Sequence, residues 1–313
     1  MALVNTVLGP MDSAQLGCTL AHEHIIVTSA GIAEYFPELL GPELKKRIVD
    51  DLLAAKAGGV TTIVDATTHD LGRDPRLLVD VARASGVNII ACAGWWLDIP
   101  RALTGFSADA LVNVFAREVE EGIGGTGVRP GVLKGASDQA GITEYEEIVL
   151  RAVARAHRRN GLPVIVHSYS PGRVGEKQAA ILEEEGVDPG RVCLGHSNDT
   201  TDAGYLIGLA RRGYFIGMDR YPGMGVEPRE RTATLKKLLD AGFASQVLVS
   251  HDRSAVSAFG PGSMTEDERR RRNPHGWLYI SKVVVPWLRE MGTDEATLAS
   301  LCTDAPRRFF EGP

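Results

Sequence analysis

Six residues of this chain belong to types that bind divalent metals, and each follows a short apolar run: His22 and His24 in LAHEH, Lys134 in GVLKG, His167 in PVIVHS, His196 in VCLGHS and Asp252 in VLVSHD. Neutral imidazole and carboxylate are standard nitrogen and oxygen ligands for such ions. His22 and His24 are two apart, so on a strand both side chains point to one face. Lys134 is the unusual member, because a cation beside a dication is unfavourable. Burial and like charge depress the pKa of such an amine. Once neutral it can add carbon dioxide and become a carbamate, which bridges two metals as a carboxylate would. Two dications set against Asp252, the carbamate and a bridging hydroxide leave a small positive charge, suited to an anionic transition state. The chemistry expected is metal-assisted hydrolysis. One histidine at a strand end is more often structural than ligating, but six such residues from five strand ends point to a metal site. His69, His157 and His275 lie outside this pattern, and His251 should point away from Asp252 on its strand.

These residues need a scaffold that brings distant strand ends together. Eight short runs rich in Val, Ile and small residues can be marked: 17–22, 60–66, 87–93, 131–134, 163–167, 192–196, 214–218 and 247–250. They are too brief for core helices and read as strands, five of which are expected to carry the candidate ligands at their C-terminal tips. Helical periodicity fills the gaps at 43–57, 74–85, 108–121, 143–160, 173–185, 200–212, 228–241 and 276–291. In 143–160, Thr143 and Glu146 have capping-box spacing and Gly161 with Pro163 stops the helix. Strands alternating with helices eight times predict an α/β fold, a (β/α)8 TIM barrel whose ligands gather at the C-terminal mouth. From Lys134 to His167, and on to His196, the interval is about one βα unit of ~30 residues. From His196 to Asp252 it is about two units, and from His24 to Lys134 about three. A doubly wound sheet would need a Gly-rich turn opening a helix; the stretch GIGGTG at 122–127 precedes a strand and reads as a loop. Residues 1–16 are expected to form a short hairpin plugging one end.

The chain has 313 residues, 44% of them hydrophobic, with no linker or composition shift, so one domain spanning 1–313 is expected. A formal net charge of −6 gives no footprint for nucleic acid, which is not expected as a partner. The basic run Arg269–Arg272 sits beside Glu266, Asp267 and Glu268 and reads as a solvated loop or helix face. Cys18, Cys92, Cys193 and Cys302 show no CxxC spacing and suit a reducing compartment. The N-terminus lacks signal-peptide character and no stretch has the length of a membrane span, so a cytoplasmic protein without membrane contact is expected.

With these positions in hand, the chain resembles the phosphotriesterase-like lactonases, a branch of the amidohydrolase superfamily, essentially end to end. Matching stretches are LAHEH (20–24), GVTTIVDATTHDLGRD (59–74), GVLKGASD (131–138), EKQAAILEEEGVDPGRVCLGHSNDT (176–200), GYFIGMDRYP (213–222) and VLVSHD (247–252). The resemblance implies a binuclear centre of zinc, cobalt, iron or manganese. His22, His24 and Asp252 would hold the more buried ion and His167 and His196 the more exposed one, bridged by carboxylated Lys134 and a hydroxide. It also implies a homodimer acting on a small lactone or ester, above all hydrolysis of N-acyl-homoserine lactones (quorum quenching), with organophosphate and aryl-ester hydrolysis as side activities. The alternatives are other γ- and δ-lactones, or phosphotriester hydrolysis as the main activity. Phosphotriesterases carry SND where this chain has Ser250-His251-Asp252, and a histidine where it has Arg220. The MDRYP stretch, with Arg220 and Tyr221, looks like the lactonase pattern. Trp96 occupies the position of an aromatic residue that contacts the lactone ring, where Tyr is commoner in lactonases and Trp in phosphotriesterases. Asp252 would accept the proton of the attacking hydroxide while Arg220 and Trp96 orient the ring. Met224 and Phe259 fall in the last two loops, which in relatives form an apolar channel for the acyl chain.

Overall fold

Short runs of β-branched and small residues, punctuated by glycine turns, form parallel strands in this chain. The structure is a computed structural model and describes residues 2–258 and 264–312; Phe259 therefore lies outside the described residues. Strands β1 (Leu3–Thr6) and β2 (Gly9–Asp12) make the expected N-terminal antiparallel hairpin. Strands β3 (Thr19–Val27), β4 (Thr62–Asp65), β5 (Asn88–Gly94), β6 (Val132–Ala136) and β7 (Val164–His167) follow. Strands β8 (Val192–Leu194), β9 (Phe215–Met218), β10 (Val247–Val249) and β11 (Ser254–Ser257) complete the set. The parallel sheet has the order β10-β9-β8-β7-β6-β5-β4-β3-β11. With helices between the strands, this is the α/β TIM-barrel architecture.

Nine strands appear where eight runs were expected because the last barrel strand is broken. Strand β10 pairs with β9, whereas β11 pairs with β3, matching Ser254 to His24. Between the two halves, the Asp252 N–H donates to the His22 carbonyl at 3.1 Å and the His24 N–H to the Arg253 carbonyl at 2.9 Å. These bonds carry the seam across the break.

The same pairing corrects the expected position of His22 and His24. They lie inside a nine-residue strand and not at its tip, because β11 gives Ile25–Val27 a partner. Glu23 lies just past the expected run 17–22, yet it is fully buried within the strand and its carboxylate is satisfied from across the seam. Lys134 is likewise inside its strand, whereas His196 falls two residues beyond β8.

The helices Leu44–Ala57, Pro75–Ser85, Ala108–Glu121, Glu144–Asn160 and Val174–Glu184 lie close to expectation. Thr143 and Glu146 do form a reciprocal capping box, and Gly161 ends the helix with a positive φ of 73°. The expected helix at 276–291 is irregular: a 3₁₀ turn (Gly276–Leu278), a π turn (Ile280–Val284) and then an α-helix (Val285–Glu290). Pro286 lacks an N–H to donate to the preceding turn, and the wider π turn precedes it.

Inside the barrel, Val64, Ile90, Cys92, Val132, Ile165 and Cys193 pack into one layer with Phe215 and Leu248. Two residues beyond Val132 and Ile165, the same parity brings Lys134 and His167 above that layer. The opposite end is closed. The Val7 N–H donates to the Ile89 carbonyl at 2.8 Å and Asn5 reaches the Pro130 carbonyl, while Phe309 and Phe310 pack on the same layer. No helix among the described residues is long and apolar enough to cross a membrane.

Candidate metal centre

The mouth of the barrel holds a cavity of about 200 Å³, lined by His22, His24, Trp96, Lys134, His167 and Asp252 together with Arg220. His196 lies beneath it. One nitrogen each from His22 and His196 and one oxygen from Asp252 fall within 4.8 Å of one another. The remaining expected ligands join through short contacts. His24 Nε2 is 3.2 Å from Asp252 Oδ1, Lys134 Nζ is 2.8 Å from His22 Nε2, and His167 Nδ1 is 2.8 Å from His196 Nε2.

Hydrogen bonds behind the imidazoles decide which nitrogen faces the cavity. Asp219, on the residue after β9, accepts from His22 Nδ1 at 2.7 Å and from His196 Nδ1 at 3.0 Å. His24 Nδ1 contacts Thr67 Oγ1 at 2.9 Å, and that hydroxyl is committed as a donor to Asp65 Oδ1 at 2.6 Å. Each Nδ1 therefore carries the hydrogen and each Nε2 presents a lone pair, which is the arrangement that orients metal-binding histidines. Trp96 donates its indole N–H toward His167 Nδ1 at 3.3 Å, so that nitrogen too presents a lone pair. Lone pairs then oppose one another at His196–His167, and a lone pair opposes the carboxylate at His24–Asp252. His167 Nε2 is buried without a hydrogen-bond partner among the described residues. Crowded acceptors of this kind fit bound cations.

Electrostatics agree. Burial pushes the His167 imidazole down to about 4 and holds His196 well below its ordinary value, so both stay unprotonated. Burial alone would raise the Asp219 carboxyl, but His196 and His22 outweigh it and keep the group ionised. Burial would likewise raise Asp252; His196, Arg220, His24 and His22 hold it well below the usual carboxylate range instead. Burial lowers the Lys134 ammonium despite the opposing pull of Asp252, and so favours the neutral amine, the form that can attack carbon dioxide.

Two site residues also have left-handed backbones: His196 with φ 56° and Asp252 with φ 51°, in a region uncommon for residues other than glycine but one that His and Asp enter more readily than most. At Asp252 the turn occupies the break between β10 and β11 and carries the carboxylate over the mouth.

Arg220 bridges two acids, donating from Nε to Asp252 Oδ2 at 2.8 Å and from Nη1 to Asp199 Oδ2 at 2.6 Å. Asp199 is held in turn by the fully buried Arg231 at 2.7 Å. Trp96 faces the centre across the mouth, its ring 5.9 Å from that of His167. Tyr221 is buried beside a second cavity, and its hydroxyl has no hydrogen-bond partner among the described residues. His251 points away as expected, donating to Glu23 Oε1 at 2.6 Å. His157 bonds the Leu162 carbonyl, and His69 and His275 are exposed.

Reading the sequence passed over Asp219, Glu23, Asp65 and Asp199. A signal existed for Asp219, an acid directly after the run 214–218, where only Arg220 and Tyr221 were singled out. The other three gave none, because their partners are remote in sequence.

Comparison with known proteins agrees with this geometry. The model of the phosphotriesterase family matches residues 2–310. A "phosphotriesterase homology protein" of Mycobacterium tuberculosis is 37% identical over 323 residues, covering 99% of this chain and 98% of its own. An "aryldialkylphosphatase" of Saccharolobus solfataricus is 33% identical over 306 residues, covering 96% of both chains. More distantly, an "N-acetyltaurine hydrolase" of Danio rerio is 26% identical over 352 residues, covering 98% of this chain and 97% of its own. Members of that family are hydrolases that depend on two metal ions. With its barrel, its imidazole cluster and a family match running from end to end, this chain belongs to the phosphotriesterase family.

Proposed function

We propose that the chain is a metal-dependent lactonase that opens N-acyl-homoserine lactones or related small lactones, with organophosphates and aryl esters as slower substrates. Two divalent ions, of zinc, cobalt, iron or manganese, would be held by His22, His24, Asp252, His167 and His196, with carboxylated Lys134 between them. When bound, such ions supply Lewis acidity and an activated water.

The protein's own residues do the rest. Asp252 is ionised and lines the cavity, placed to take the proton released as water attacks the carbonyl and to return it to the ring oxygen as the C–O bond breaks. Arg220 fixes that carboxylate and presents a cation beside it, and Trp96 offers an indole edge across the mouth for the ring to pack against. Tyr221 supports Arg220 from behind through the backbone it shares.

The observation that carries the reading is the size of this cavity together with Arg220 at its wall. At about 200 Å³ it is below the ~300–1,000 Å³ of sites that enclose drug-sized ligands. A five- or six-membered ring suits it better than a phosphorus centre bearing three ester arms. The similarity to an aryldialkylphosphatase favours a second reading, phosphotriester hydrolysis as the main activity.

Measuring kcat/KM for N-acyl-homoserine lactones, plain γ- and δ-lactones and paraoxon on one metal-loaded preparation separates the two. Lactones are expected to exceed paraoxon by orders of magnitude. The reverse order would make this a phosphotriesterase.

A further inference from the structure

A second, larger cavity of about 440 Å³ adjoins the candidate centre. The two share Arg220, Asp252 and Ser254 as wall residues, which places the larger space directly beside the centre, where the remote part of a molecule held there would lie. That space departs from the apolar channel expected from Met224 and the last loops. Met224 and Met264 do line it, but so do Arg220, Arg253, Arg269, Arg270 and Arg272.

The basic run expected to be a solvated face forms one wall. Thr265 and Glu268 cap the helix Glu266–Arg272 with a reciprocal box, and three of its four arginines border the cavity. Glu266 is the only carboxylate on this helix that lines the cavity, and it is shared by Arg269 at 2.8 Å and Arg270 at 3.0 Å. Arg272 donates to the Gly223 carbonyl and has no carboxylate partner among the described residues. Three cations thus face one anion. Deeper in, Asp252 and Asp199 are matched by Arg220, which bonds both, and by Arg231, which bonds Asp199. Arg253 pairs with Asp51 and stacks on Trp277, yet its Nη1 is buried without a partner among the described residues. A chain with a net charge of −6 has gathered a local excess of positive charge beside its reaction site. Guanidinium groups recognise carboxylate and phosphate oxygens through paired N–H donors.

We propose that this cavity is a subsite for an anionic substituent of the substrate, a carboxylate or a phosphate monoester, on the part of the molecule remote from the bond that is cleaved, with Arg270 and Arg272 as its principal contacts. This deepens the lactone reading and rests on it for the identity of the reacting group. The acyl-type tail it selects ends in an acid and not in a methyl group.

The test uses metal-loaded protein and two sets of probes. The first is a γ-lactone with a plain alkyl tail, the same lactone with a tail ending in a carboxylate, and a third ending in a phosphate. The second is the matching cyclopentanones, which cannot be hydrolysed and whose binding is read by calorimetry. At least one anionic tail is expected to improve kcat/KM over the plain tail by about tenfold, mainly through KM. The paired substitutions R270Q and R272Q should reduce binding of the anionic cyclopentanone about tenfold more than that of the neutral one. Which acid gains more distinguishes carboxylate from phosphate. Equal binding of anionic and neutral tails by the wild type, or an equal effect of the substitutions on both, would overturn the subsite. Arginine-dependent binding without turnover of any lactone would retain it and discard the lactone reading alone.

Discussion

Asp219 accepts hydrogen bonds from Nδ1 of both His22 and His196, one through each carboxylate oxygen, at 2.7 and 3.0 Å. One side chain therefore sets the tautomer of imidazoles on opposite sides of the centre. Replacing Asp219 with Asn keeps the shape but presents an N–H to one of the two rings, which must then turn the lone pair of Nδ1 toward that N–H and carry its hydrogen on Nε2, facing the cavity. Metal affinity is expected to fall by about 10–100-fold, as measured by competition with a chelator. Unchanged affinity would mean that the rings are oriented by packing alone.

Lys134 is buried and held toward its neutral form, with Nζ against His22 Nε2. If it bridges as a carbamate, metal-free protein reconstituted in carbon-dioxide-free buffer should regain little activity until bicarbonate is added. Lys134→Ala should retain less metal by elemental analysis, and a short carboxylic acid should partly restore function. Reconstitution indifferent to bicarbonate counts against the carbamate.

Asp252 is held ionised by Arg220 and the surrounding histidines and contacts both His24 and Arg220. Asp252→Asn is expected to lower kcat by about 10²–10⁴-fold while the circular dichroism spectrum is unchanged. Arg220→Met removes the guanidinium and should cost less in kcat than in KM. A full rate in the Asn variant removes Asp252 from the proton transfer.

Glu23 accepts from the Ser250 hydroxyl, the His251 N–H and ring, and the Arg253 N–H across the broken strand. Its loss in Glu23→Ala leaves several buried donors unpaired, at a cost of about 3 kcal/mol or more. A drop in Tm of several degrees is expected. Glu23→Gln, which keeps one acceptor oxygen, should be milder. Equal Tm values for both variants would show that the seam does not depend on this carboxylate.

Metal removal should expose an acid weakness. The His167 imidazole titrates near 6.5 when unfolded and about 4 when folded, its pKa lowered chiefly by burial. Above pH 6.5 neither state binds the proton and the term is absent. As pH falls from 6.5 toward 4 the unfolded chain takes up a proton that the folded one refuses, so stability is lost. For this group alone the loss approaches about 3 kcal/mol. Urea midpoints of the metal-free protein at pH 7.5 and 5 should show it; a midpoint higher at pH 5 contradicts the sign.

Much of this molecule was legible in its sequence because the signals are local. Apolar runs and helical stripes gave the strand-helix alternation, and the residues closing those runs gave the ligand types. The Thr143 capping box is set by two residues three positions apart, and it formed as read. Failures of reading occurred where a long-range contact overrode a local cue. The first run was expected to end at residue 22, yet its strand runs on through Glu23 because donors from a segment 227 to 230 residues away satisfy that carboxylate. The run 269–272 is the exposed helix face that was expected, but that Arg269, Arg270 and Arg272 also border a cavity depends on contacts outside the helix.

The sequence by itself therefore determined the barrel, the candidate ligand residues and the side of the barrel where they gather, since strand parity and strand order follow from neighbouring residues. Tertiary structure alone decided which imidazole nitrogens face inward and how the last strand divides to close the ring. It also decided that Asp252 stands over the mouth on a left-handed backbone. The physical reason is distance along the chain: Asp219 meets His22 across 197 residues and His196 across 23, and no local pattern encodes a hydrogen bond that only the closed barrel brings within reach.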